Sequence, residues 1–261
     1  MKYRFSGSVA LVALAVAGPA VAADMPAKAP VYKATPTVGM AAYNWTGFYV
    51  GGHAGWGWSD EDWFIPLTPI NIAAGCPGCP VSAGSQTAND WLAGGQVGIN
   101  YQVGSWVWGV EAQASWTRLE GSHGVPPFPV FTDHSKTDFL GTVAARFGAA
   151  WDRTLLYVKG GGAWAHDRFW QSTATIPIVN SVTDTRWGWM AGVGVEFAFL
   201  DNWSVKVEYD YLDFGTRRET LAATCTGCSF EYDITQTIQL VKVGINYRFG
   251  DFGKGPVVGR Y

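Results

Sequence analysis

Between Asn44 and Phe249 apolar residues return at every second position in eight separate runs, and no long segment repeats at 3.6 residues. A period of two places all the apolar side chains of a run on one face of an extended strand. The chain must therefore satisfy eight one-sided strands, which excludes a helical bundle and leaves a sheet closed on itself or packed on another. The runs are Phe48 to Trp58, Trp91 to Tyr101, Trp106 to Trp116, Phe139 to Trp151, Leu156 to Trp164, Trp187 to Phe199, Trp203 to Tyr211 and Val241 to Phe249. At the start of the last run, Ile238 and Leu240 break the alternation.

The connections alternate in length. Val103-Gly104-Ser105, Asp152-Arg153-Thr154 and Leu200-Asp201-Asn202 are short turns, whereas Ser59 to Asn89, Leu119 to Lys136, His166 to Thr185 and Asp213 to Asp233 read as long loops rich in Pro, Gly, Ser and Thr. Short turns at one end and long loops at the other predict an all-β fold: an eight-stranded antiparallel up-and-down transmembrane β-barrel spanning residues 44–249. The second face of the strands decides between this and a soluble barrel. It carries Gln96, Asn100, Glu111, Gln113, Arg146, Lys159, Glu196, Lys206, Glu208, Asp210, Lys242, Asn246 and Arg248. That is too little charge for a water-facing exterior, but five bases against four acids suit a narrow lumen in which they neutralise one another. On several strands the apolar face ends in aromatic residues, as at Trp108 and Trp116 or Trp187 and Phe199, which suits two interfacial girdles.

The N-terminus reads as a signal peptide over residues 1–22: Lys2 and Arg4 precede a short apolar run from Val9 to Ala17, and Pro19, Ala20 and Ala22 supply a small-residue cleavage site. Residues 23–43, with Pro26, Pro30 and Pro36, read as a flexible periplasmic leader, and 250–261 as a short tail. Loss of Lys2 and Arg4 takes the formal charge from −3 to about −5, so no nucleic-acid partner is expected. After the signal no apolar run reaches the length of a membrane helix.

Four segments, Tyr43 to Gly52, Gly94 to Tyr101, Val205 to Leu212 and Val241 to Phe249, together resemble the small outer-membrane β-barrel family of α-proteobacteria, relatives of the OmpA and OmpX barrels often described as porin-family or surface-antigen proteins. The resemblance covers nearly all of Asn44 to Phe249. It implies a location in the outer membrane with both termini periplasmic and long loops outside, a role in envelope integrity or surface exposure, and in some members hemin binding or porin-like behaviour. It also implies that Tyr247 and Phe249, ending the last strand, form the signal read by the barrel-assembly machinery. Outer-membrane lipids and lipopolysaccharide are the other expected partners.

Two C-x-x-C motifs, Cys76/Cys79 and Cys225/Cys228, fall in the first and last long loops, which barrel closure makes neighbours. Disulfides, within each motif or across the loops, are expected in an oxidising compartment; four-thiolate zinc binding is the competing reading. His123, His134 and His166 are the candidates for hemin, while His53 falls on the lumen side; none has a partner at ligand spacing. No nucleophile with a positioned base is recognisable, so no enzyme and no cofactor are expected. The function expected is a structural or surface-interaction barrel with a lumen plugged by paired charges, the alternative being a narrow porin for small solutes or a hemin-binding surface receptor.

Overall fold

A computed structural model describes residues 43–74, 79–124, 131–173, 180–222 and 229–249. Eight antiparallel strands form a closed up-and-down barrel in chain order: β1 (Gly47–Ile65), β2 (Val81–Val103), β3 (Trp106–Gly124), β4 (Phe131–Trp151), β5 (Thr154–Thr173), β6 (Asn180–Ala198), β7 (Trp203–Ala222) and β8 (Ser229–Phe249). The seam is closed by β1 and β8, paired from Phe48↔Phe249 to Phe64↔Asp233. At one end, hereafter the turn end, left-handed backbone at Gly104 and Asp152 tightens two hairpins, and both residue types adopt it readily.

The strands run 19 to 23 residues, about twice the 9–11 that cross a bilayer. The segments expected as long loops are therefore largely strand, and the connections at the loop end shrink to what separates β1 from β2, β3 from β4, β5 from β6 and β7 from β8. The reason is visible in β8. From Val241 to Phe249 the odd-numbered residues are apolar and face outward, with Val243 53% exposed. Below 241 the pattern inverts: Tyr232, Ile234, Ile238 and Leu240 point inward and are buried, while Glu231, Asp233, Thr235 and Thr237 take the outer face. What looks like broken alternation at Ile238 and Leu240 is one continuous strand passing from an apolar surrounding into water.

The outward band on the turn-end side of the inversion contains no charged residue on any strand, and aromatic pairs edge it on both sides. Trp106–Phe147 and Phe48–Phe249 stand at the turn end; Trp116–Phe139, Trp164–Trp187 and Trp189–Tyr211 stand on the loop side. A charge-free belt between aromatic rings fits a hydrocarbon slab.

Between β1 and β2 lies a short helix, α1 (Pro69–Ala73), started by Thr68 as N-cap, whose hydroxyl accepts from the Asn71 N–H, and by Pro69 in the first turn. Buried Asn71 fastens it to β8: its amide donates to the Glu231 carbonyl at 3.0 Å and its carbonyl oxygen accepts from the Glu231 N–H at 2.8 Å. The helix is thus held against the barrel rim.

Candidate functional site

The interior is the chemically distinctive part of the molecule, and it is stratified. Trp45, Val107, Leu155 and Ala198 close the turn end as an apolar layer. Above them lies a charged layer. A second apolar layer follows, with Leu92, Leu119, Leu140, Leu212, Ile238 and Leu240. Next comes a second polar layer around Glu61, Asp167 and Arg186, and then an apolar cap of Trp63, Ile65, Phe169, Tyr232 and Ile234. Reading up β1 gives the same order in one strand: Tyr49 and His53 in the charged layer, Glu61 in the second polar layer, then Trp63 and Ile65.

The charged layer brings together eight of the nine residues expected there, four bases and four acids. Glu111 lies 2.8 Å from Lys206, 3.3 Å from Arg146 and 3.7 Å from Lys159. Arg146 also meets Glu196 at 2.8 Å. Lys159 reaches Glu208 at 3.2 Å and Asp210 at 3.1 Å, and Lys242 reaches Asp210 at 2.5 Å. All eight are buried. Desolvating so many charges is costly, and their mutual attraction offsets it only when geometry is good and the remaining lone pairs are satisfied. Neutral groups supply part of that: Gln113 donates to Glu111 and Glu208, Ser204 and Asn246 donate to Glu196, and Lys242 donates to the Gln113 carbonyl oxygen, while among the described residues Asp210 is met only by the two lysines.

Arg248, the ninth, is elsewhere. Its guanidinium sits at the turn-end mouth, donating to the backbone carbonyls of Asn44 and Asp201 and lying 4.3 Å from the Tyr43 ring centroid. Being the last inward residue of β8, one position before the strand ends at Phe249, it is too near the rim to reach the acids, so the balance becomes four against four.

Two tyrosines missed in the sequence complete the layer. Tyr49 on β1 donates to Glu111 on β3 at 2.8 Å, and Tyr157 on β5 donates to Glu208 on β7 at 2.6 Å. The Arg146 guanidinium carbon lies 3.8 Å from the Tyr157 ring centroid and 5.6 Å from that of Tyr49. Each ring covers a glycine on the next strand: a Cβ on Gly98 would stand 2.4 Å from Tyr49, and one on Gly194 2.5 Å from Tyr157. The same Tyr-Gly-Glu arrangement thus occurs on β1-β2-β3 and again on β5-β6-β7. Spacing along one strand cannot reveal it, because each unit spans three. Gly98→Ala is expected to cost about 1–3 kcal/mol by overpacking, read as a lower urea midpoint, and the loss should shrink when Tyr49 is shortened to leucine in the same chain.

The second polar layer lies in segments read as loops, with Glu61, Gln86, Ser135 and Asp167, and at their margins, with Thr137, Arg186 and Gln236. Glu61 accepts from Gln86 at 2.7 Å and Ser135 at 2.9 Å, Thr137 donates to Asp167 at 2.5 Å, and Arg186 donates to the Gln236 side chain and the Ile234 carbonyl.

His134 stacks on Trp170 at 5.1 Å and shares a hydrogen bond with Ser172, and His166 faces the Thr185 hydroxyl at 3.4 Å. His134 pairs across the strands with Trp170, four residues along β5 from His166, so the two do not form a ligand pair. The side chain of His123 lies outside the described residues, as do Cys76, Cys225 and Cys228. Cys79 is buried in the apolar cap and is not a free thiol. Among the described residues no group of three or more His, Cys, Asp or Glu is placed to hold a metal. Tyr247 and Phe249 face outward at the turn end; Phe249 packs on Phe48 across the seam, and Tyr247 packs on Trp203 of β7.

A closed antiparallel barrel with a charge-free outer belt and a polar, ion-paired interior defines a transmembrane β-barrel. Residues 8–249 match the family described as outer membrane protein beta-barrel domain. The chain belongs to this family, and its place is the outer membrane. It is similar to the 25 kDa outer-membrane immunogenic protein of Brucella abortus biovar 1, with 28% identity over 242 residues, covering 91% of this chain and 92% of the relative. The 31 kDa outer-membrane immunogenic protein of Brucella melitensis biotype 1 is 28% identical over 248 residues, covering 92% and 98%. Among solved structures, the outer membrane protein OprG from Pseudomonas aeruginosa aligns with a TM-score of 0.49 and 11% identity, covering 80% of this chain and 99% of that one.

Proposed function

We propose that the chain is a structural, surface-exposed barrel of the outer membrane whose lumen is closed to solutes and which carries no catalytic activity. The observation behind this reading is the stratified interior: three apolar layers alternate with two hydrogen-bonded polar ones, and an ion crossing would have to displace all five. The tests of the closed lumen are direct. Purified full chain in planar bilayers is expected to give no unit conductance steps, and reproducible steps would overturn the closed reading in favour of a narrow porin.

In this proposal the turn end and both termini are periplasmic, and the extended strands with their connections project outside, the arrangement of bacterial outer-membrane barrels. The names of the Brucella relatives support surface exposure: antibodies raised against the folded chain should bind intact cells. Residues 1–22 would direct export, and Tyr247 and Phe249 would be read by the assembly machinery. Disulfides among Cys76, Cys79, Cys225 and Cys228 would hold the cap in the oxidising periplasm and beyond. Thiol counting on unreduced, denatured protein should find none free; four free thiols would refute the bonds.

A further inference from the structure

On the outer surface of β3, β4 and β5, above the loop-side aromatic ring, Glu120, Lys136, Asp138, Arg168 and Trp170 line a cleft of about 270 Å³. Two β-bulges mark the same height: β3 slips between Trp116 and Leu119, and β4 slips between Thr137 and Phe139. Bulges bend a strand and re-aim its side chains. Register then places Glu120 beside Lys136 and Lys136 beside Arg168, a row of charges across three strands. Lys136 is 3.2 Å from Asp138. Arg168 is exposed, and no hydrogen bond or ion pair of its guanidinium occurs among the described residues. Trp170 is held by its stack on His134, with 3° between the rings.

We propose that this cleft binds a phosphorylated sugar of the lipopolysaccharide inner core. An indole offers a flat apolar platform to the C–H face of a sugar ring, the carboxylates of Glu120 and Asp138 accept from its hydroxyls, and Arg168 presents a planar fork to a phosphate. Depth selects the source. Arg168 is four residues beyond Trp164 of the aromatic ring, about 13 Å along the strand and about 10 Å higher once strand tilt is included. That is the level of lipid headgroups and the sugars attached to them, on a surface that abuts the leaflet. The inference rests on the orientation proposed above, with the loop end outside.

The test is calorimetric titration of the full chain, refolded in detergent free of lipopolysaccharide, with a lipid-free phosphorylated inner-core oligosaccharide. Arg168→Ala and Trp170→Ala are each expected to weaken binding about tenfold, and dephosphorylating the oligosaccharide should do the same. Arg218→Ala, whose guanidinium is already paired with Asp233 on β8, should bind as the parent does. Retention of heat-modifiable gel mobility shows that each variant is folded. Binding by Arg168→Ala and Trp170→Ala as tight as the parent's would overturn the site, as would equal affinity for inorganic phosphate alone. Orientation is read separately, from an epitope inserted between Gly124 and Phe131. Its accessibility on intact cells supports the assignment, and an epitope hidden from antibody on intact cells would overturn lipopolysaccharide as the ligand even if the titration succeeds.

Discussion

Glu111→Gln is expected to destabilise the folded barrel by about 3–5 kcal/mol, the cost of leaving buried charge without its partner. Glu111 stands within 4 Å of three cations, Lys206, Arg146 and Lys159, and it also accepts from Tyr49 and Gln113. The amide would keep the volume and remove the charge, leaving four buried bases opposite three acids. Water cannot enter to compensate, because Leu92, Leu140 and Leu240 lie above and Trp45 and Leu155 below, all buried. Urea unfolding in phospholipid, followed by tryptophan fluorescence, measures the loss. Adding Lys206→Met to the same chain restores parity and should recover part of the stability, so the two substitutions will be strongly non-additive. A loss below about 1 kcal/mol for Glu111→Gln, or simple additivity with Lys206→Met, would show that the eight charges do not act as one balanced unit.

Val243→Arg should cost about 2 kcal/mol, the penalty for arginine on the lipid face between the bilayer midplane and its edge. Val243 lies on β8 between the inversion at Leu240 and the turn-end aromatic pair formed by Phe249 and Phe48, and its side chain points outward. Thr237→Arg places the same side chain on the same strand and the same outer face, six residues nearer the loop end. There it should change stability by no more than about 0.5 kcal/mol, as for an ordinary water-exposed site. The pair of variants locates the upper edge of the membrane on β8 without reference to any other strand. Equal penalties would mean that hydrocarbon extends past the inversion, and equal tolerance would mean that the outer belt is not in lipid at all. Refolding yield into vesicles, compared at matched protein concentration, gives a second reading of the same quantity.

Much of the barrel is legible in the sequence because its cause is local. Val241, Val243, Ile245, Tyr247 and Phe249 alternate with Lys242, Gly244, Asn246 and Arg248, and a strand with lipid on one side and a polar lumen on the other can be written in few other ways. The same rule then hid the upper half of the molecule. At Ile238 and Leu240 the apolar residues change face, and a reader following one phase sees the strand end there. Glu61 and Asp167 consequently fall in segments read as loops, and Arg186 and Gln236 between those segments and the apolar runs, although all four build the second polar layer. The inversion itself was the available signal: Tyr232, Ile234, Ile238 and Leu240 share the even phase just as Val241 to Phe249 share the odd one.

Strand number, antiparallel order, the outward apolar belt and the inward position of the central charges were determined by the sequence alone, since each depends on the two-residue period and on turn chemistry that operate within a few residues. Which charges meet was decided only by the tertiary structure. Arg248 carries the same alternation as Lys242, yet it ends at the rim on backbone carbonyls, while Tyr49 and Tyr157 reach acids two strands away over glycines on the strands between. Barrel closure and strand stagger fix those heights, and both are properties of the whole ring, which no single strand encodes.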